Sequence, residues 1–172
     1  MRVSEIIVID DASTDSTADI YKILGCNVFI NPANMGRGYS RNIGIKKASS
    51  DIILFCDSSN ELPKDYLFLS LKYFSSNNIA AIFGNIKNSP HLKDPLSRWR
   101  ARHLFREDQI PSLPSLVRAN NLNTYGVVMQ KNAITKVGNF KKSLRMCEDI
   151  DLGEKLIKNG YQIYSDPSIF VY

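Results

Sequence analysis

Residues 5–11 read EIIVIDD and residues 51–57 read DIILFCD, and the reading of these two stretches decides the fold. In each, a run of apolar residues, all β-branched in the first, ends abruptly on aspartate. An uninterrupted apolar run of four or five residues has the pattern of a strand covered on both faces, as the strands of a parallel sheet are. Asp10, Asp11 and Asp57 then fall at the C-terminal ends of their strands. In an open α/β sheet that edge is where ligands bind.

Working outward, DASTDST (11–17, after the first strand) leads into a helical stretch through Leu24, with Ser16 and Asp19 spaced as a capping box and Gly25 as its stop. CNVFIN (26–31) reads as a second strand and NPANMG as a turn. Residues 38–48 form a helix whose Lys46 and Lys47 complement the dipole at its C-terminus. Strand–helix–strand–helix–strand with short links predicts an α/β, Rossmann-like fold: a mostly parallel sheet with helices on both faces.

Farther along, a helix is expected over 64–76, with Leu67, Leu71 and Phe74 on one face, followed by a strand IAAIF (79–83). The character changes over 88–118, which holds Pro95, Pro111 and Pro114 and the basic run RWRARHLFR (98–106). This segment is expected to be a helix and a loop over the sheet edge. The basic run suits phosphates or an anionic membrane surface, and equally a solvated helix face. A strand TYGVVM (124–129), a short helix, a helix over about 148–158 stopped by Gly160, and a closing strand complete the chain.

At 172 residues the chain makes one domain (1–172). Net charge is +5, which suits phosphorylated ligands without pointing to a nucleic-acid partner. Cys26, Cys56 and Cys147 have no CxxC spacing and read as reduced, mostly buried thiols of a cytoplasmic protein. No apolar run approaches the ~18 residues of a membrane span.

Three groups, two acidic and one basic, carry candidate chemistry. Adjacent aspartates at 10–11 repel one another and call for a cation, ligand donors or a turn to cap. Glu148, Asp149 and Asp151 occupy the first turn of a helix, where the dipole favours acids and where a carboxylate can serve as a general base. NMGRGYSRNIG (34–44) places Arg37 and Arg41 at a glycine-rich helix start suited to an anion.

The segments EIIVIDDASTDST, NMGRGYSRNIGIKKASSDIILFCDSS and VGNF…CEDIDLGEKLIKNGYQIYSDP resemble, in order and spacing, family 2 glycosyltransferases of the GT-A fold. The resemblance spans nearly the whole chain. It implies a nucleotide-binding half (1–87) and an acceptor-side half (88–172), a nucleotide-sugar donor, in particular a UDP-sugar, and a saccharide or lipid-linked acceptor. Asp11, with Asp10 beside it, matches the acid at the nucleotide base, and Arg41 a basic residue near the nucleotide. Asp57 matches the first acid of the Asp-x-Asp motif, which faces the ribose and a diphosphate bridged by Mg²⁺ or Mn²⁺. Asp149 matches the catalytic base and Glu148 its partner.

Two departures stand out. Ser59 replaces the second acid of Asp-x-Asp, and a serine hydroxyl is a poor ligand for a hard cation. The sequence also opens at what matches the family's second strand, so the neighbouring sheet edge is expected to be open, either to another segment or to a second copy in a homo-oligomer. Two rival readings follow. A non-catalytic nucleotide-sugar-binding module accommodates both departures. A phosphoacceptor receiver domain shares the Asp10, Asp11 and Asp57 placement, but its fourth strand would not end Phe-Gly-Asn.

Overall fold

The computed structural model describes residues 3–75, 78–109 and 116–172. Its strands and helices follow one another as β1 (Ile7–Asp10), α1 (Thr17–Ile23), β2 (Asn27–Ile30), α2 (Arg37–Lys47), β3 (Ile52–Leu54), α3 (Tyr66–Leu71), β4 (Ile79–Ile86), α4 (Pro95–His103), β5 (Val117–Arg118), β6 (Val128–Gln130), α5 (Lys131–Lys136), α6 (Glu148–Lys158) and β7 (Gln162–Val171). The expected α/β alternation is present. Ser76, at the end of the helix expected over 64–76, and Pro111 and Pro114 lie outside the described residues.

The sheet is mixed rather than mostly parallel. β1 and β2 pair in parallel, and a second sheet has the order β3-β6-β4-β7-β5. Within it β4 and β7 run parallel, while β6 is antiparallel to both β3 and β4, and β5 to β7. An apolar run encodes burial, not direction. Direction depends on the end at which the connection returns, and β6 sets off from the end where β4 finishes, so Ile82 pairs with Val128 and Ala81 with Met129.

Alternation along β4 and β6 builds a core on each face of the larger sheet. Ala81, Met129 and Ile163 join Ile45, Ala133, Ile134, Leu152 and Leu156 of α2, α5 and α6. Ile82, Val128 and Ile169 join Tyr66 and the half-buried Leu67 and Leu71 of α3. Each fully buried leucine or isoleucine contributes ~1.5–3 kcal/mol. Close approach needs glycine at two places. A Cβ on Gly84 would lie 2.4 Å from the Ile169 carbonyl oxygen, and one on Gly153 would lie 2.8 Å from the Leu122 backbone nitrogen.

The smaller sheet corrects one expectation. β1 is not buried on both faces: Ile7, Val8 and Ile9 are half-buried and only Asp10 is buried. Among the described residues, β1 pairs with β2 alone and β3 with β6 alone, so the edge between the two sheets is unpaired. Helix α2 spans the division, with Gly44 against Ile9 and Ile45 in the larger core. At one end, Glu5 Oε1 accepts hydrogen bonds from Ser49 N and Oγ.

Two smaller expectations also change. Ser16 occupies the N-cap of α1 without a side-chain cap. Asp15 supplies it instead, accepting from Thr17 N and Oγ1. Cys56 and Cys147 are exposed rather than buried, and Cys26 is half-buried.

Candidate functional site

The turn after β1 is organised by its two aspartates in different ways. Asp10 is buried and its Oδ1 accepts from Ser13 N at 2.8 Å, so it caps the turn that DASTD makes. Asp11 points toward the start of α2. Its Oδ1 accepts from Asn31 Nδ2 and Met35 N and its Oδ2 from Gly36 N, all at 2.8 Å. Gly36 takes φ 89° there, a conformation glycine adopts without a Cβ penalty. Partial burial pushes the Asp11 carboxyl up, but hydrogen bonds from Asn31, Met35, Gly36 and Ser40 together hold it below the ordinary aspartate range.

The two arginines of NMGRGYSRNIG part company. Arg37 is exposed and Arg41 is buried. The Arg41 guanidinium forks between acids from distant segments: Nη1 donates to Glu148 Oε1 at 2.5 Å and Nη2 to Asp57 Oδ1 at 3.0 Å. Its carbon lies 5.6 Å from the centre of the Phe140 ring. Gly38, one turn earlier, makes the approach possible, since a Cβ there would already touch Phe140 Cβ, Lys141 O and Glu148 Cβ. Helix α2 is thereby locked to the first turn of α6.

That lock places Asp149. Cys147, at the N-cap of α6, adopts a left-handed conformation with φ 61°, and after it Glu148 is buried, 2% exposed, while Asp149 is half-buried. Asp149 Oδ2 lies 3.5 Å from the buried Thr124 hydroxyl. Asp151 pairs with Lys155 at 2.6 Å and serves the helix itself.

Asp57 and Ser59 decide what a metal would find. Asp57 Oδ1 is held by Arg41, while Oδ2 accepts no hydrogen bond from the described residues, and Ser59 is exposed. No three His, Cys, Asp or Glu side chains converge among the described residues. One free carboxylate oxygen fits a divalent cation that arrives with a diphosphate and keeps its water, the usual arrangement for Mg²⁺. It does not make a cage that would hold a cation alone.

Beside Asp11 lies a cavity of about 330 Å³, lined by Asn34, Gly36, Arg37, Arg145 and Met146 as well as Asp11, a size within the range of small-ligand clefts. Arg145 Nη1 donates to Asn34 Oδ1 at 3.1 Å. Sequence reasoning passed over Asn34, Thr124, Arg145 and Met146. Arg145 sits three residues before Glu148 in a basic stretch, KKSLR, which was a signal available to it.

The glycosyl transferase family 2 model matches residues 2–145. The chain belongs to glycosyltransferase family 2. It is 25% identical over 177 residues to the pre-mycofactocin glycosyltransferase of Mycobacterium tuberculosis, covering 99% of this chain and 37% of that protein. It is 30% identical over 171 residues to the poly-beta-1,6-N-acetyl-D-glucosamine synthase of Staphylococcus aureus, covering 95% of this chain and 41% of that one. The chain thus spans about two-fifths of the length of these relatives. In fold it is similar to GalNAc-T7, solved with UDP, GalNAc and Mn²⁺, with a TM-score of 0.75 over 98% of this chain and 37% of that one at 14% identity. The α/β architecture of this family 2 domain is therefore GT-A. Among the described residues, no helix is long and apolar enough to cross a membrane.

Proposed function

We propose that this family 2 domain transfers a sugar from a UDP-sugar to a hydroxyl of a polysaccharide or lipid-linked saccharide, with inversion at the anomeric carbon, on the cytoplasmic side of a membrane. One observation carries the reading. The Arg41 fork gathers Asp57, just after β3, and Glu148, beside Asp149, around one guanidinium. A donor-facing carboxylate and a candidate base are thereby held in fixed relation, as a displacement between two bound substrates requires.

In this reading Asp149 takes the proton of the acceptor hydroxyl as its oxygen forms the new bond to the anomeric carbon. The bond from that carbon to the diphosphate oxygen breaks, and the nucleoside diphosphate leaves with the electron pair. Glu148 is spent on Arg41 and acts as a positioning residue. Asp11 and the cavity beside it take the base end of the donor, and Asp57 faces the diphosphate. Asp57 would hold Mg²⁺ or Mn²⁺, which would supply positive charge to neutralise the leaving group. The unpaired edge between β1 and β3 is the surface through which a second copy would associate.

Turnover of UDP-sugars by the chain, and by Asp149→Asn, tests the reading. The substitution keeps the shape and removes the base, so turnover should fall by ~10²–10⁴ with UDP affinity unchanged. Turnover that survives in Asp149→Asn sinks the assignment. Absence of turnover in the parent with UDP still bound favours the non-catalytic module, to which Ser59 lends support.

A further inference from the structure

We propose that the outward face of helix α4 docks on an anionic lipid surface. Within α4 only Ser97 is buried, and Ala101 one turn later is half-buried. With ~100° between successive residues, the side opposite these two carries Leu96, Trp99 and His103. Leu96 is 66% and Trp99 50% exposed. The Trp99 and His103 rings stack with centroids 5.0 Å apart and planes 15° from parallel. The same geometry sets Arg100 on one flank of this ridge and Arg102 on the other, with Arg98 beyond. Leu92 and Leu104, both more than half exposed, lie just beyond the two ends of the helix.

Within the helix itself the charge has one sign. Pro95–His103 contains no acid. Asp94, just before it, is engaged in capping the helix, accepting from Ser97 N and Oγ. Glu107, just after it, accepts from Asn88 N, and Asp108 is exposed.

A ridge of leucine and tryptophan held in water is unfavourable, and indole prefers the boundary between headgroups and acyl chains. Arginines on both flanks reach lipid phosphates while their stems lie along the apolar surface. A folded protein partner would need roughly 800 Å² from this side for a stable interface, more than one face of a nine-residue helix supplies. A bilayer needs no such shape match. The inference is independent of the transfer reaction, and its test uses neither donor nor acceptor.

Trp99 is the sole tryptophan, so its fluorescence reports on this face directly. Titration with vesicles of phosphatidylcholine and phosphatidylglycerol should shift its emission to the blue, and the chain should sediment with the vesicles. Added salt should reverse both. The triple variant Arg98→Gln, Arg100→Gln, Arg102→Gln should bind on the order of a hundredfold more weakly. Leu96→Ser, at an exposed position, should weaken binding with the circular dichroism unchanged. The proposal is overturned if anionic vesicles leave the emission unmoved, or if pure phosphatidylcholine vesicles bind equally well. An equal shift with single-stranded RNA at the same salt would overturn it too, reassigning the face to nucleic acid.

Discussion

Arg41 Nη1 lies 2.5 Å from Glu148 Oε1, and both side chains are buried. Removing one partner of such a pair strands the other charge in the core, which typically costs ~3–5 kcal/mol. Arg41→Met should lower the urea midpoint accordingly. Arg41→Lys keeps the charge but not the fork to Asp57, and should fall between. In Arg41→Met with Glu148→Met, no fully buried charge is stranded and only the half-buried Asp57 loses its partner, so most of the stability should return. A double variant as unstable as the sum of the singles would mean the pair is not coupled.

Thr124 lies 3.5 Å from Asp149 Oδ2. In the proposed reaction its hydroxyl would restrain the carboxylate without supplying or taking the transferred proton. Thr124→Val should therefore reduce kcat by about tenfold, less than Asp149→Asn, while KM for the donor stays within a factor of about two. Equal losses in the two variants would show that Thr124 does more than restrain.

Asp11 gives a pH dependence whose sign is fixed. Its folded carboxyl is held below the ordinary value by the donors it accepts. A depressed pKa adds stability that is fully present above the unfolded value, near ~3.9, and fades as pH falls through the folded one. Asp11→Asn turns an amide NH₂ toward one of the donors and should cost ~1–3 kcal/mol at pH 7. The gap between variant and parent should close in denaturation curves taken below about pH 4. A gap constant from pH 7 to pH 3 would mean the charge contributes nothing.

The path from sequence to site was open in some places and closed in others. Apolar runs ending in Asp10 and Asp57 announced two strands and put each acid at its strand's C-terminal end, although the two strands belong to separate sheets and β1 is only half-buried. The acids of α6 were legible as well, as first-turn residues of a helix. The Arg41 fork was not legible. It joins residues from three separate segments, and nothing in SRNIG says that its arginine turns inward to Glu148 while Arg37 stays out. Strand direction was equally hidden, since the short β6 reads the same whichever way it runs. Thr124 and Arg145 entered through packing of the 116–127 and 141–147 segments, which have no periodicity to read.

The division between β1 and β3 should affect association. Each strand leaves one edge unpaired among the described residues, and Ile6, just before β1, and Ile30, at the end of β2, stand more than half exposed. Unpaired N–H and C=O groups beside apolar side chains favour strand addition. Sedimentation velocity should give a mass that rises above 19.4 kDa with concentration, and a lysine at Ile6 should suppress the rise. A monomer at every concentration would rule the edge out as an association surface.

Asp57 offers one free carboxylate oxygen and Ser59 no charge, so metal and nucleotide should bind as a set. A ligand at a hundred times its Kd stabilises the folded state by about 2.7 kcal/mol, which raises Tm by roughly 5–10 °C for a domain of this size. UDP should produce part of that shift and UDP with Mn²⁺ more, while Mn²⁺ alone should produce none. Asp57→Asn should abolish the increment due to Mn²⁺. Ser59→Asp should enlarge it, because a second carboxylate adds a hard oxygen ligand beside the first. Stabilisation by Mn²⁺ without nucleotide would show that the chain builds a metal site of its own, and an unchanged increment in Asp57→Asn would place the cation elsewhere.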